Sequence, residues 1–148
     1  MYSRVIIPTD GSELSFKGVK EGLQAARSFG IPAVAVYVLS PGYLSETKVK
    51  RRLEEMSDQS YSLIKDRLKE VAKDELEKVK KYADRIGVKL ETKILEGIPY
   101  EEITNVATED DIIFMSSHGR SGFSSLFIGS TTDRVIKHTN ATVAVVKA

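Results

Sequence analysis

Two polar segments of the chain hold the residues best suited to bind a ligand. The first, PTDGSELS at residues 8–15, places Asp10 after an apolar run, with Gly11 to relax the turn and Ser12 to cap a following helix. The second, SSHGRSGFSSLFIGST at residues 116–131, concentrates glycine, serine and threonine between an apolar run and a helical pattern. A carboxylate can hydrogen-bond a ligand or its metal ion, and a loop of the second kind can cradle phosphate.

The second segment has several features of an anion site. Gly119 allows a ligand to approach the backbone closely, and a helix that starts near Ser130 offers unpaired N–H groups and a partial positive charge. Arg120 adds a cation, and the hydroxyls of Ser130 and Thr131 can donate to phosphate oxygens. The alternative is a plain loop that ends in a routine N-cap, since Asp133 follows Ser130 at the spacing of a capping box.

Groups for fast catalysis are missing from both segments. His118 has no second histidine near it in the sequence, and we interpret it as a ring packed against the loop. The sequence has no G-x-x-x-x-G-K-[ST] motif, no G-x-G-x-x-G after the first apolar run and no G-x-S-x-G nucleophile elbow. With one candidate carboxylate and no evident base, binding is favoured over turnover, and we assign no catalytic residue.

The elements that must position these segments follow from the apolar periodicity. Five short β-branched runs span residues 2–8, 33–39, 88–95, 111–115 and 141–146. Helical patterns at residues 12–29, 48–86, 98–108 and 130–138 separate them. This alternation predicts an α/β fold, an open five-stranded parallel sheet with helices on both faces. The third run alternates apolar with charged residues, which is typical of an edge strand.

Both polar segments follow predicted strands. Ligands of such sheets bind beyond the carboxyl ends of the strands, where the strand order reverses. We therefore expect Asp10 and residues 116–131 to face one crevice.

The helical pattern at residues 48–86 is too long to pack fully on this sheet. As one helix it would extend about 55 Å, whereas a sheet of six-residue strands is only about 20 Å deep. We therefore expect the segment near residues 42–60 to break away from the sheet and to be mobile.

Length and composition limit the class of protein. The 148 residues predict a single domain over residues 1–148, and a net charge of +1 argues against a dedicated nucleic-acid partner. There is no cysteine, and the longest apolar runs fall far short of the ~18 residues of a membrane span. We expect a cytoplasmic protein without a membrane partner.

Several motifs together resemble the universal stress protein family. They are PTDGS after the first strand, GIP at residues 97–99, SSHGRSGFSSLFIGST, and VIKHTNATVAVV near the chain end. The resemblance covers the whole chain in order. It implies the strand order 3-2-1-4-5, a Rossmann-like sheet whose order reverses between strands one and four.

The resemblance also implies a ligand. One branch of the family binds ATP through the pattern G-x2-G-x9-G-[ST], which this chain matches at Gly119, Gly129 and Ser130, with Ser116 at the first glycine position. Carried over, Thr9 and Asp10 meet the base and ribose, and Val38 meets the adenine. The residues around the phosphates are His118, Gly119, Arg120, Gly129, Ser130 and Thr131. Pro8, Met115 and Ser116 complete the implied nucleotide site. Mg²⁺ or Mn²⁺ is expected to bind through the phosphates and not through a protein metal site.

The family further implies a homodimer joined through the last strand. The implied interface residues are Thr142, Val143, Ala144, Val145 and Val146. Our leading hypothesis is a nucleotide-dependent switch or binding module in the stress response, with a protein partner that the sequence does not identify. A dimeric scaffold that works without nucleotide, favoured by Ser116, and a slow ATPase or a nucleotidyl-transfer enzyme are the alternatives.

Overall fold

A computed structural model describes residues 1–40, 58–117 and 128–147 of the chain. The strands are β1 (Arg4–Pro8), β2 (Ala33–Leu39), β3 (Leu90–Glu96), β4 (Asp111–Ser116) and β5 (Thr142–Val146). The helices are α1 (Glu13–Phe29), α2 (Asp58–Ile86), α3 (Pro99–Val106) and α4 (Ser130–His138). Most of the segment predicted to be mobile, residues 42–57, lies outside the described residues.

The five strands form one parallel sheet in the order β3-β2-β1-β4-β5. Both the predicted fold class and the strand order are confirmed. β2 and β4 are largely buried, and β3 lies at an edge with Glu91 and Glu96 exposed, as its alternating pattern predicted. Because β1 connects to β2 on one side and pairs with β4 on the other, the strand order reverses beside β1.

Alternate residues along the strands lie in two apolar layers, one on each face of the sheet. Val5 and Ile7 of β1 pack with α1 and α2 on one face, whereas Ile6 packs with Ile103 of α3 and Val135 of α4 on the other. All five side chains are nearly or completely inaccessible to solvent. Helices therefore cover both faces, as expected for a parallel sheet.

Helix α2 packs against the core under the sheet from Leu68 onward. Its buried residues run from Ala72 to Ala83, whereas Leu63 in the first half is 65% exposed. At 29 residues the helix is about 43 Å long, which exceeds the depth of the strands. The part of the helix around Leu63 therefore extends past the sheet, and its apolar residues are not buried by the strands.

Helix α1 approaches the sheet unusually closely because of two glycines. A Cβ atom on Gly22 would lie 2.9 Å from Cδ1 of Ile7, and one on Gly18 would lie 3.1 Å from the backbone nitrogen of Ser116. Both distances are shorter than ordinary van der Waals contact. The bare backbone of α1 thus lies directly against the strands at the level where β4 ends.

An ion pair joins the amino ends of the adjacent strands β1 and β4. The Arg4 guanidinium donates to both carboxylate oxygens of Asp111, from Nη2 to Oδ2 at 2.7 Å and from Nε to Oδ1 at 3.1 Å. The backbone N–H of Thr108 also donates to Oδ2, at 2.8 Å. The Asp111 side chain is 1% exposed and that of Arg4 is 30% exposed. These bonds satisfy a carboxylate that burial would otherwise destabilise.

Candidate functional site

A cleft of about 360 Å³ opens at the carboxyl ends of β1, β2 and β4. It lies where the strand order reverses, and the first turns of α3 and α4 close its sides. Nine of the twelve residues predicted for the nucleotide site line it: Pro8, Thr9, Asp10, Val38, Met115, Ser116, Gly129, Ser130 and Thr131. The other three, His118, Gly119 and Arg120, lie outside the described residues.

Backbone and side-chain hydrogen bonds hold the β1 end of the cleft. The N–H of Thr9 donates to the Val36 carbonyl at 2.9 Å, continuing the pairing of β1 with β2 past the strand end. The Tyr37 hydroxyl donates to the Asp10 carbonyl at 3.3 Å. Two hydrogen bonds to β2, one at Thr9 and one at Asp10, therefore hold this wall in place.

Asp10 both closes the turn and faces the cleft. Its Oδ1 accepts a hydrogen bond from the N–H of Ser12 at 2.9 Å, and Gly11 takes a φ of +81° that favours glycine. The Glu75 side chain of α2 packs against Gly11, so that a Cβ there would lie 2.9 Å from Glu75 Cγ. The capped-turn and ligand-facing interpretations of Asp10 are thus compatible.

Three hydroxyl-bearing residues form a chain behind this turn. Thr9 Oγ1 and Ser15 Oγ lie 3.0 Å apart, and Ser15 Oγ donates to the Ser12 carbonyl at 3.0 Å. Ser12 is the N-cap of α1, as predicted, and its Oγ accepts from the N–H of Ser15 at 3.1 Å. Thr9 and Ser15 are both buried, yet both line the cleft.

The opposite wall is the junction of β4 and α4. Thr132 Oγ1 donates to the Ser116 carbonyl at 3.0 Å and so fixes the first turn of α4 to the end of β4. Gly129 is the N-cap of α4, with φ −57° and ψ 155°, and among the described residues no side chain caps this helix. The hydroxyls of Ser130 and Thr131 therefore stand in the first turn beside N–H groups that no earlier helical turn can pair.

The capping-box interpretation of Ser130 and Asp133 is wrong. Ser130 is the first helical residue, one position too late to act as the N-cap. The Asp133 carboxylate instead accepts from Lys137 Nζ at 2.8 Å, an i,i+4 ion pair on the helix surface. The Ser130 hydroxyl consequently is not used in capping.

The floor and the third side of the cleft are mostly apolar. Val36, Tyr37 and Val38 come from β2, Met115 from β4, and Ile103 from α3. An apolar surface of this kind, flanked by polar groups on the β1 wall and on the opposite α4 wall, suits a ligand that carries both a ring system and an anionic group.

Sequence interpretation did not single out seven residues that line the cleft. They are Ser15, Val36, Tyr37, Ser40, Pro99, Ile103 and Thr132. GIP at residues 97–99 was a partial signal, because it placed a helix start after the third strand. Tyr37 carried no signal, since it lies within a continuous apolar run and its contact with Asp10 depends on strand register.

The described residues offer no cluster of side chains suited to hold a metal ion. Within residues 1–40, 58–117 and 128–147, no three His, Asp or Glu side chains come together in such a group. No helix in this part of the chain is both apolar and long enough to cross a lipid bilayer.

The family profile of the universal stress proteins matches residues 1–147. The chain belongs to this family. Universal stress protein MJ0531 of Methanocaldococcus jannaschii is 36% identical over 99% of this chain and 83% of its own length. Universal stress protein MJ0577 of the same organism is 32% identical, covering 99% of this chain and 96% of its own.

Solved structures share the fold of this universal stress protein. The structure of MJ0577 superposes with a TM-score of 0.79 at 32% identity, over 100% of this chain and 97% of that one. Two more distant structures, at 19% and 20% identity, are a universal stress protein in complex with cAMP and one from Archaeoglobus fulgidus in complex with dAMP. Their TM-scores are 0.70 and 0.62, and each covers at least 98% of this chain and 97% of its own.

Proposed function

We propose that this universal stress protein binds an adenine nucleotide, ATP with Mg²⁺ or Mn²⁺, in the cleft at the reversal of strand order. Binding makes it a nucleotide-dependent module of the stress response in the cytoplasm. The phosphates lie against Gly129, Ser130 and Thr131, the ribose lies near Thr9 and Asp10, and the adenine extends toward Val38. The divalent ion is held through the phosphates.

The observation that carries the proposal is the convergence of predicted residues from distant parts of the sequence. β1, β2 and α4 each contribute to a single cleft residues that the family pattern assigned to one nucleotide. The volume of about 360 Å³ falls at the lower end of the range for small-molecule sites, about 300–1,000 Å³. Two relatives of the same fold, although distant in sequence, bind the adenine nucleotides cAMP and dAMP.

The site is better equipped for binding than for turnover. Asp10 is the only carboxylate among the described residues that line the cleft, and its Oδ1 is already engaged with the Ser12 N–H. The α4 turn offers N–H groups, two hydroxyls and the positive end of a helix dipole to an anion. Slow hydrolysis remains the alternative, and its test is turnover that is lost on Asp10→Ala.

Calorimetric titration with ATP tests the proposal directly. We expect micromolar binding in the presence of Mg²⁺ or Mn²⁺, after removal of any co-purified nucleotide, and weaker binding with EDTA because uncompensated phosphate charges repel one another. AMP titrated in parallel measures the contribution of the β- and γ-phosphates. No binding of ATP, ADP or AMP at millimolar concentration would reject the nucleotide function and favour a dimeric scaffold.

We also propose a homodimer formed through β5. This strand pairs with β4 on one side only, and most of its residues, from Val143 to Val146, are half-buried in the single chain. An open strand edge favours pairing with a second chain.

Light scattering tests the dimer. We expect a mass of twice 16.4 kDa at micromolar concentration. Thr142→Lys adds a charge at an exposed β5 position and should shift the equilibrium toward monomer. Thr92→Lys makes the same change at an exposed position of β3, the opposite edge strand, and is the matched control. A monomeric wild-type protein would contradict the proposal.

A further inference from the structure

The hydroxyl of Thr9 has only one hydrogen-bonding role left for a ligand. Ser15 Oγ donates its single proton to the Ser12 carbonyl, which can only accept. The bond of 3.0 Å between Ser15 Oγ and Thr9 Oγ1 must therefore use the proton of Thr9. The Thr9 proton thus points toward Ser15 of α1 and is not available to a ligand.

The lone pairs of Thr9 Oγ1 can be counted in the same way. The N–H of Gly11 donates to this oxygen at 3.2 Å, which uses one of its two acceptor positions. No other bond of Thr9 Oγ1 occurs within the described residues, so one acceptor position remains and no donor. A ligand group at this point is bound if it donates a hydrogen bond and is disfavoured if it only accepts.

We propose that Thr9 is an obligatory hydrogen-bond acceptor in the cleft and that Ser15 is the positioning residue that makes it so. The inference rests on the proposed nucleotide function and specifies it further: the ligand presents a donor to Thr9. Of the donors on an adenosine nucleotide, the ribose hydroxyls and the 6-amino group share this chemistry.

The order of the strands favours the ribose hydroxyls. β1 lies between β2, which bears the apolar surface around Val38, and β4, whose end adjoins the phosphate-binding turn at Ser130. The ribose lies between base and phosphate in a nucleotide, so the central strand of the cleft meets the central part of the ligand. The buried Thr9 hydroxyl needs a donor from the ligand, and it therefore distinguishes ribonucleotides, which have both ribose hydroxyls, from deoxynucleotides, which lack one.

The test compares ATP with analogues that lack one donor. By calorimetry in saturating Mg²⁺, 2′-deoxy-ATP or 3′-deoxy-ATP is expected to bind the wild-type protein about five- to tenfold more weakly than ATP, the value of one hydrogen bond. ITP, which has an oxo group in place of the 6-amino group, distinguishes the base from the ribose. A loss with ITP alone would place the base at Thr9 and overturn the ribose assignment.

Variants of Thr9 and Ser15 test whether these two hydroxyls cause the difference in affinity between ATP and its analogues. Thr9→Val removes the acceptor and should make the affinity ratio of ATP to the sensitive analogue close to one, whereas Thr9→Ser keeps the hydroxyl and should keep the ratio. Ser15→Ala frees the Thr9 proton, so the hydroxyl can rotate to donate and the ratio should fall while ATP still binds. Ser28→Ala, an exposed position at the far end of α1, is the matched control.

Two kinds of failure are distinguishable. Equal affinities for ATP and all three analogues, or a ratio that persists unchanged in Thr9→Val or Ser15→Ala, would overturn the inference and leave nucleotide binding intact. Absence of binding by every adenine nucleotide would reject the proposed function and this inference together.

Discussion

Replacing Gly129 by valine should reduce the affinity for ATP at least a hundredfold while leaving the chain folded. Gly129 lines the cleft, and the first turn of α4 that follows it is proposed to meet the phosphates. A branched side chain there occupies space that a phosphate group needs. Because φ at Gly129 is −57°, valine meets no backbone strain. The stability cost should be limited to about 1 kcal/mol for a poorer N-cap.

Calorimetry with ATP and thermal denaturation of the same samples separate the two effects. Gly129→Ala provides a graded control, since a methyl group should weaken binding less than an isopropyl group. Ile128→Val changes the neighbouring exposed residue without adding bulk to the cleft and should bind ATP as the wild type does. Unchanged ATP affinity in folded Gly129→Val would mean that the phosphates do not lie at the start of α4.

Replacing Asp111 by asparagine should lower the free energy of unfolding by about 3 kcal/mol near neutral pH. The change leaves a guanidinium beside a neutral, buried amide, and removing one partner of a buried ion pair costs about 3–5 kcal/mol. We expect the lower end of that range because Arg4 is 30% exposed and can recover some hydration. Asp110→Asn, at the adjacent exposed position, is the control and should change stability by less than about 0.5 kcal/mol.

The same pair makes stability depend on pH. Burial raises the pKa of the Asp111 carboxyl, but hydrogen bonds from Arg4 and Thr108 and the guanidinium charge outweigh it, so the pKa lies below the usual value of 3.8. The stabilisation is therefore complete above the unfolded pKa and is lost as pH falls through the lower folded pKa. In urea titrations the difference between wild type and Asp111→Asn should shrink as pH falls from about 5 toward 2. A difference independent of pH would show that ionisation of Asp111 does not contribute.

The fold was predictable from the sequence because local patterns and sheet topology agree. Continuous apolar runs identified the inner strands β2 and β4, and alternating lysine and glutamate in β3 identified an edge. The strand order itself came from the family resemblance, since periodicity alone does not order strands. Helix α2 shows the limit of periodicity, because apolar spacing near Leu63 indicates a helix but not whether a sheet lies beneath it.

The cleft was predictable where its residues follow strand ends, and not where contacts depend on register or on hydrogen-bond direction. Asp10 and Ser130 were found because parallel strands bring their carboxyl ends together. Tyr37 could not be assigned, since its contact with Asp10 requires the pairing of Ile7 with Ala35. The pairing of Arg4 with Asp111 was missed for a related reason, because the strand order makes β1 and β4 neighbours but does not give the register that places these two residues opposite each other.

The close approach of α1 to β4 has a thermodynamic consequence for any ligand of the cleft. Since the bare backbone at Gly18 lies against the amide of Ser116, this end of β4 has no room to move toward α1. The conformational entropy of this segment is lost when the chain folds and not when a ligand binds. A ligand that fits this wall binds without the entropic cost of ordering it. A ligand that is too large binds poorly because the wall does not move to make room.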